Sequence, residues 1–200
     1  MTDKKIPFVG LHAHSVAGSI FDAIGYPDEH MDFCYENGGQ ALALTDHGNM
    51  NGFSHQFLHW QKMKSEGKEF KPIFGVEAYF LPSIEEWRDD YDRIKEDAKM
   101  SKTLAKEGDT SGATVEDEDA SKKAIKSVLN RRRHLILLAQ NQTGLNNLFK
   151  IVSESYKEEN FYRYPRVDYD MLDRHSEGVI AASACLGGPY AGNYWANRDE

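Results

Sequence analysis

Two cysteines, Cys34 and Cys185, are too few for a disulfide framework in a chain of 200 residues. No apolar run approaches the roughly 18 residues that a membrane-spanning helix needs. Met1 to Lys5 leads straight into a strand-like Ile6-Pro7-Phe8-Val9 without the apolar centre of a signal peptide, so the expected location is cytoplasmic, with no membrane partner. Positive charge is also short. Lys and Arg total 24 against 32 Asp and Glu, a net charge of -8, which removes bulk electrostatic attraction as a route to DNA. An acidic chain still admits a nucleic-acid end at a metal site, where the ions carry the local positive charge. A Gly-x-Ser-x-Gly elbow and a P-loop are both missing, and Gly187-Gly188 is not a dinucleotide fingerprint. Nucleophilic serine chemistry would have to rest on Ser15 or Ser183. No internal repeat is present, and the length fits one domain with a substantial core.

What is there alternates between strand and helix. Ile6 to Leu11 reads as a first strand, followed by a Gly-punctuated loop, Ser15 to Gly25, which carries Asp22 over the strand's end. Pro27-Asp28-Glu29 starts a helix that Gly38-Gly39 ends. Ala41 to Leu44 is a short buried strand. A second helix carries Phe53, Phe57 and Trp60 at helical spacing, with Gly67 near its end, and Pro72 to Phe80 is the next strand. Short links between these elements predict a parallel α/β architecture. Residues 83–133 break the pattern with dense charge. The polar Lys106 to Gly112, the acidic Glu116 to Asp119 and the basic Arg131-Arg132-Arg133 read as an inserted excursion, part helical and part disordered. The basic triplet reads as a solvated run rather than a phosphate contact. A strand from His134 to Ala139, a helix from Thr143 to Tyr156, a wet aromatic link Phe161 to Pro165, a short helix Tyr169 to His175 and a strand Val179 to Ala182 follow.

The chemistry sits at strand ends. His12 and His14, one residue apart on an extended segment, point the same way and can reach one ion. Asp46 and His47 leave the Ala41–Leu44 strand where an α/β fold puts its chemistry. Asp46 is the carboxylate expected to act in catalysis. Glu77 lies in an apolar run, where an unpaired carboxylate would cost several kcal/mol unless a cation or an arginine compensates it. The neighbouring histidines favour the cation. Imidazoles and carboxylates together suit zinc, manganese or iron better than calcium. His134 begins its strand, and in a parallel arrangement a strand's first residue lies opposite the exits, which sets it apart on geometry. Cys185 reads either as a soft ligand or as a small buried residue. His30, His55, His59 and His175 read as structural or solvated. Several such ligands around one pocket imply two or three ions, and phosphoester hydrolysis is the chemistry they suit.

At these residues the chain resembles the PHP (polymerase and histidinol phosphatase) family, and within it the N-terminal domain of bacterial DNA polymerase III alpha subunits. The likeness runs through Phe8 to Ser15, Ala41 to Met50, Lys71 to Tyr79, His134 to Ala139 with Thr143-Gly144, Pro165 to Asp168, and Cys185 to Gly188. It covers nearly all of residues 1–200 outside 83–133. The resemblance implies a distorted seven-stranded (β/α) barrel holding up to three ions. The metal positions it implies are His12, His14, Asp22, His47, Glu77, His134 and Cys185. It also implies 3′–5′ exonuclease action on a DNA 3′ end through a parent polymerase. A metal-braced structural domain and a small-molecule phosphatase are the alternatives. The family's last motif, Asp-x-His, and the polymerase palm are not in these residues, so further polymerase domains or a second chain are the expected partners.

Overall fold

The computed structural model describes residues 8–106, 123, 126–128 and 130–196. Its organising element is the strand β2 (Lys71–Phe80), because strands pair along both of its edges. Strand β1 (Ala41–Leu44) lies parallel to its first half, from Ala41 opposite Lys71 to Leu44 opposite Phe74. The same edge continues as a bridge from His47 to Glu77 and ends against β5 (Tyr164–Val167), again parallel. On the other edge β3 (Arg133–Ala139) runs antiparallel to β2, and β6 (Val179–Ala182) runs antiparallel to β3. The fold is therefore mixed α/β, and among the described residues the sheet does not close. The wholly parallel arrangement expected from the strand–helix rhythm is corrected at β3. Alternation of element types carries no information on direction, and the long connection through 81–132 leaves either direction open to the returning strand.

Local chemistry accounts for the helix ends. Pro27 opens α1 (Pro27–Glu36), Asp28 and Glu29 face its positive end, and the Glu29 carboxylate accepts the Tyr26 N–H at 2.7 Å. Gly38, at φ 85°, takes the left-handed turn that ends it. Helix α2 spans Phe53–Ser65 and α3 spans Ile84–Lys106. The Asn141 side chain caps α4 (Gln142–Ser155) by accepting from Gly144 N–H at 3.0 Å. Asp168 caps α5 (Tyr169–Arg174) through Met171 N–H at 2.9 Å and binds Ile84 N–H at 3.0 Å, tying the starts of α3 and α5 together. Helix α6 (Pro189–Ala196) was not expected. Nor was the hairpin in the aromatic link, where β4 (Phe161–Tyr162) folds back on β5 through Arg163 at φ 60°.

Side-chain alternation splits the sheet into two faces. Val76, Ala78, Phe80, Leu135 and Leu137 pack against Leu148 and Ile151 of α4, Ile84 and Trp87 of α3, and Met171. Each such fully buried side chain contributes about 1.5–3 kcal/mol. The opposite face carries the smaller cluster of Ala43, Ile136 and Leu138, and, nearer its end, Glu77 and His134. Ile6 and Pro7 of the expected first strand lie outside the described residues. Its continuation runs beside β1, with Ala43 N–H on Gly10 C=O at 2.7 Å and Thr45 N–H on Ala13 C=O at 2.8 Å. The expected polar segment beyond Lys106 and the acidic run Glu116–Asp119 also lie outside the described residues. In the arginine triplet Arg131 and Arg133 are exposed, as a solvated run predicts, and Arg132 is half-buried. Arg131 pairs with Asp90 at 3.0 Å, Arg132 stacks on Tyr164, and Arg133 opens β3. No helix among the described residues is long and apolar enough to cross a membrane.

Candidate metal centre

Glu77 is the hub of the site, with a side chain only 1% exposed. Its Oε2 lies 2.9 Å from His14 Nε2 and 2.9 Å from His47 Nδ1. Its Oε1 lies 2.9 Å from His134 Nδ1 and 3.9 Å from His12 Nε2. Asp22 closes the far side, its Oδ2 at 2.7 Å from His47 Nε2 and 3.2 Å from His14 Nδ1. Three overlapping groups have ligand atoms within 4.8 Å of one another: His12, His14 and Glu77; His14, Asp22 and His47; and His47, Glu77 and His134. Cys185 stands beside them, its Sγ 3.7 Å from His134 Nδ1 and accepting the Gly187 N–H at 3.3 Å.

The topology explains who meets whom. His12 and His14 arrive on the extended segment beside β1, His47 follows β1, and Glu77 sits on the facing strand. His134 joins them because β3 is antiparallel: its first residues lie opposite the last of β2, with His134 paired to Tyr79. The geometric objection to His134 assumed a parallel strand and falls with that assumption. Asp22 reaches inward because its loop docks tightly on the link after β1. A Cβ at Gly18 would lie 2.6 Å from Asp46 Cβ, and Asn49 Nδ2 donates to Gly18 C=O at 2.9 Å.

Asp46 is the exception. Its carboxylate accepts from Ser15 N–H at 2.6 Å, Ser15 Oγ–H at 2.8 Å and Ser19 Oγ–H at 2.9 Å, and the residue is buried. It belongs to none of the three groups, and its contacts are with Ser15 and Ser19 of the loop that carries Asp22. The same bonds leave Ser15 fully buried on a carboxylate rather than beside a histidine, which removes it as a nucleophile. Of the remaining histidines, His59 pairs with Asp32 at 2.8 Å and His175 with Glu154 at 3.2 Å, both away from the centre.

Burial alone pushes the Glu77 carboxyl upward. Hydrogen bonding to His134, His14 and His47 outweighs it and holds the group well below the usual carboxylate range. His47 is raised, chiefly by its contact with Glu77 acting against desolvation, and secondarily by Asp22. His12 is lowered, first by burial and then by its histidine neighbours against the pull of Glu77. Two buried atoms, His47 Nδ1 and Glu77 Oε1, have close neighbours but no aligned hydrogen bond among the described residues. Buried polar atoms that converge without aligned partners are what a cation would satisfy, and the donor set of imidazole, carboxylate and thiol fits a transition metal.

Contacts that the sequence did not flag hold this cluster in shape. Thr45 Oγ1 lies 2.7 Å from His12 Nδ1 and 3.4 Å from Ala13 C=O, and this contact holds the His12 ring with Nε2 toward Glu77. The Tyr79 ring stacks parallel to His47 at 5.9 Å and meets His134 edge-on at 5.6 Å. Burial lifts the Tyr79 phenol to about 12, so it stays protonated at neutral pH.

Comparison with known proteins agrees with this architecture. The chain is 35% identical to the DNA polymerase III subunit alpha of Aquifex aeolicus (strain VF5) over 193 residues, 96% of this chain and 13% of that protein. It is 34% identical to the same subunit of Borreliella burgdorferi over 96% of the chain and 13% of the relative, and 34% to that of Treponema pallidum over 93% and 12%. It thus spans only about an eighth of these relatives' length. The family model described as PHP domain matches residues 10–197, from the extended segment that carries His12 and His14 through α6, and the chain belongs to the PHP domain family.

Proposed function

We propose that this chain is the metal-dependent phosphoesterase domain of a replicative DNA polymerase, hydrolysing phosphodiesters at a DNA 3′ end in the cytoplasm. The observation that carries the reading is the convergence of four histidines on one buried carboxylate, with His47 Nδ1 and Glu77 Oε1 left unaligned. Its similarity to DNA polymerase III alpha subunits favours a nucleic-acid substrate over a small phosphate ester. A neutral imidazole offers a metal one lone pair, whereas a carboxylate offers two oxygens and can bridge. The seven positions then divide without using any ring twice: His12 and His14 with Glu77, His134 and Cys185 with the same Glu77, and Asp22 with His47. Bound zinc, manganese or iron would supply Lewis acidity toward a phosphoryl oxygen and an acidified water.

The chain's own residues prepare that chemistry. Thr45 orients the His12 ring, Asp46 holds the loop of Asp22 through Ser15 and Ser19, and Tyr79 packs parallel to His47. We further propose that the open sheet is most of a distorted (β/α)7 barrel. Its free edges would be β6, largely exposed from Ile180 to Ala182, and the segment beside β1. The test is release of labelled nucleotide from a 3′-labelled oligonucleotide by manganese- or zinc-loaded protein, against the double variant His12→Ala/His14→Ala. Loss of release in the variant is expected, and equal activity would refute the reading. A second reading has its own observation: the cluster ties four separate chain segments together, as a structural brace would. That reading expects metal binding and a large loss of stability on chelation, with no nucleotide released.

A further inference from the structure

We propose that Arg132 is the substrate-binding residue of this centre, taking the non-bridging oxygens of the phosphate. The inference rests on the phosphoesterase reading and names a residue outside the metal set. The Arg132 guanidinium carbon lies 3.7 Å from the Tyr164 ring centroid and 5.3 Å from that of Tyr79. Tyr79 in turn stacks on His47 and meets His134, so one ring separates the cation from two residues of the cluster. The sheet puts it there, since Arg132 precedes His134 by two residues and continues the same face.

Two nearby arginines have acceptors. Arg131 is paired with Asp90, and Arg166 donates to the carbonyls of Tyr162 at 2.9 Å and Tyr164 at 3.0 Å. Arg132 donates only from Nη1 to Asn130 C=O at 2.9 Å. Its Nε is buried without an acceptor, and no carboxylate pairs with it among the described residues. A guanidinium stacked on the Tyr164 ring has lost rotamer freedom already and keeps N–H donors without an acceptor among the described residues, which suits a phosphate. The chelating cluster would hold the metal, and this cation would hold the phosphate oxygens beside it.

The test titrates deoxyadenosine 5′-monophosphate into the manganese-loaded 200-residue chain by calorimetry. Metal content, melting temperature and oligonucleotide hydrolysis are measured alongside. Arg132→Met is expected to bind the nucleotide about 10–100-fold more weakly, the loss of charge-assisted hydrogen bonds, with metal content and melting unchanged. Arg132→Lys recovers only part of the affinity, because it keeps the charge without the fork. Tyr164→Ala weakens binding less than Arg132→Met does, and Tyr164→Phe leaves it intact. Equal affinity in wild type and both Arg132 variants, or no nucleotide binding by wild type, overturns the inference. Arg132-dependent binding without any hydrolysis would leave the inference standing and sink the phosphoesterase reading instead.

Discussion

Replacing Glu77 by Gln tests the centre at its hub, because the change keeps shape and volume but removes the bridging charge. In the proposed division Glu77 serves two of three ions, and Asp22 with His47 serves the third. Each independent ion held at about 100 times its dissociation constant adds about 2.7 kcal/mol of stability. In a domain of this size that corresponds to a rise in melting temperature of about 5–11 °C. Glu77→Gln should therefore lose about two thirds of the metal-induced rise, and Asp22→Asn about one third. The metal-free variant is also weakened, by about 3–5 kcal/mol, since four imidazoles lose the anion they face. Each protein is for that reason compared with its own metal-free melt. The assay is calorimetric melting with and without manganese or zinc, with metal content measured after dialysis. A full metal-induced rise in Glu77→Gln, or a larger loss in Asp22→Asn than in Glu77→Gln, would refute the bridging role.

Three further outcomes are expected. The raised His47 contributes stability that is complete below its unfolded value of about 6.5 and lost as pH rises through the folded one. The stability gap between metal-free wild type and His47→Asn, from urea melts between pH 5.5 and 8.5, should therefore shrink with rising pH; with metal bound the gap should widen, since the ion needs the neutral ring. Gly144→Ala, a change that ordinarily favours a helix by about 1 kcal/mol, should here destabilise by about 2 kcal/mol or more. The added Cβ would lie 1.8 Å from Gly178 C=O, and a variant that melts higher than wild type would contradict the packing of α4 on the turn before β6. Asp46→Asn should cost about 1–3 kcal/mol and release the ion held by Asp22 and His47, while the two ions on Glu77 stay in place. Metal content separates these results, and loss of every ion would mean that Asp46 holds more than the loop.

Much of this was legible in the sequence, and for identifiable reasons. Pro27 and Gly38 bound α1 because each fixes a backbone conformation locally. The candidate ligands stood out because a carboxylate or imidazole at the end of an apolar run needs a partner to offset its lost hydration. What escaped depends on contacts between distant residues. The β4–β5 hairpin turns on a non-glycine residue in the left-handed region, Arg163, which no turn pattern signals. Asp46 reads as a catalytic carboxylate beside His47, and its bonds to Ser15 and Ser19, 31 and 27 residues away, lie beyond any local pattern. Arg132 read as one of three solvated charges until Tyr164 came beneath it.

His134 shows how a residue's chemistry and an expected strand direction can point to different places. Its chemistry pointed to the site, while the parallel rule placed it at the opposite end of the sheet. The pairing of His134 with Tyr79 removes the conflict, because an antiparallel neighbour presents its beginning where β2 presents its end. The centre thus depends on one reversed strand. A parallel β3 would have left Glu77 with only the histidines of the first 47 residues, and Cys185, which reaches the cluster only through His134, would have had no place in it.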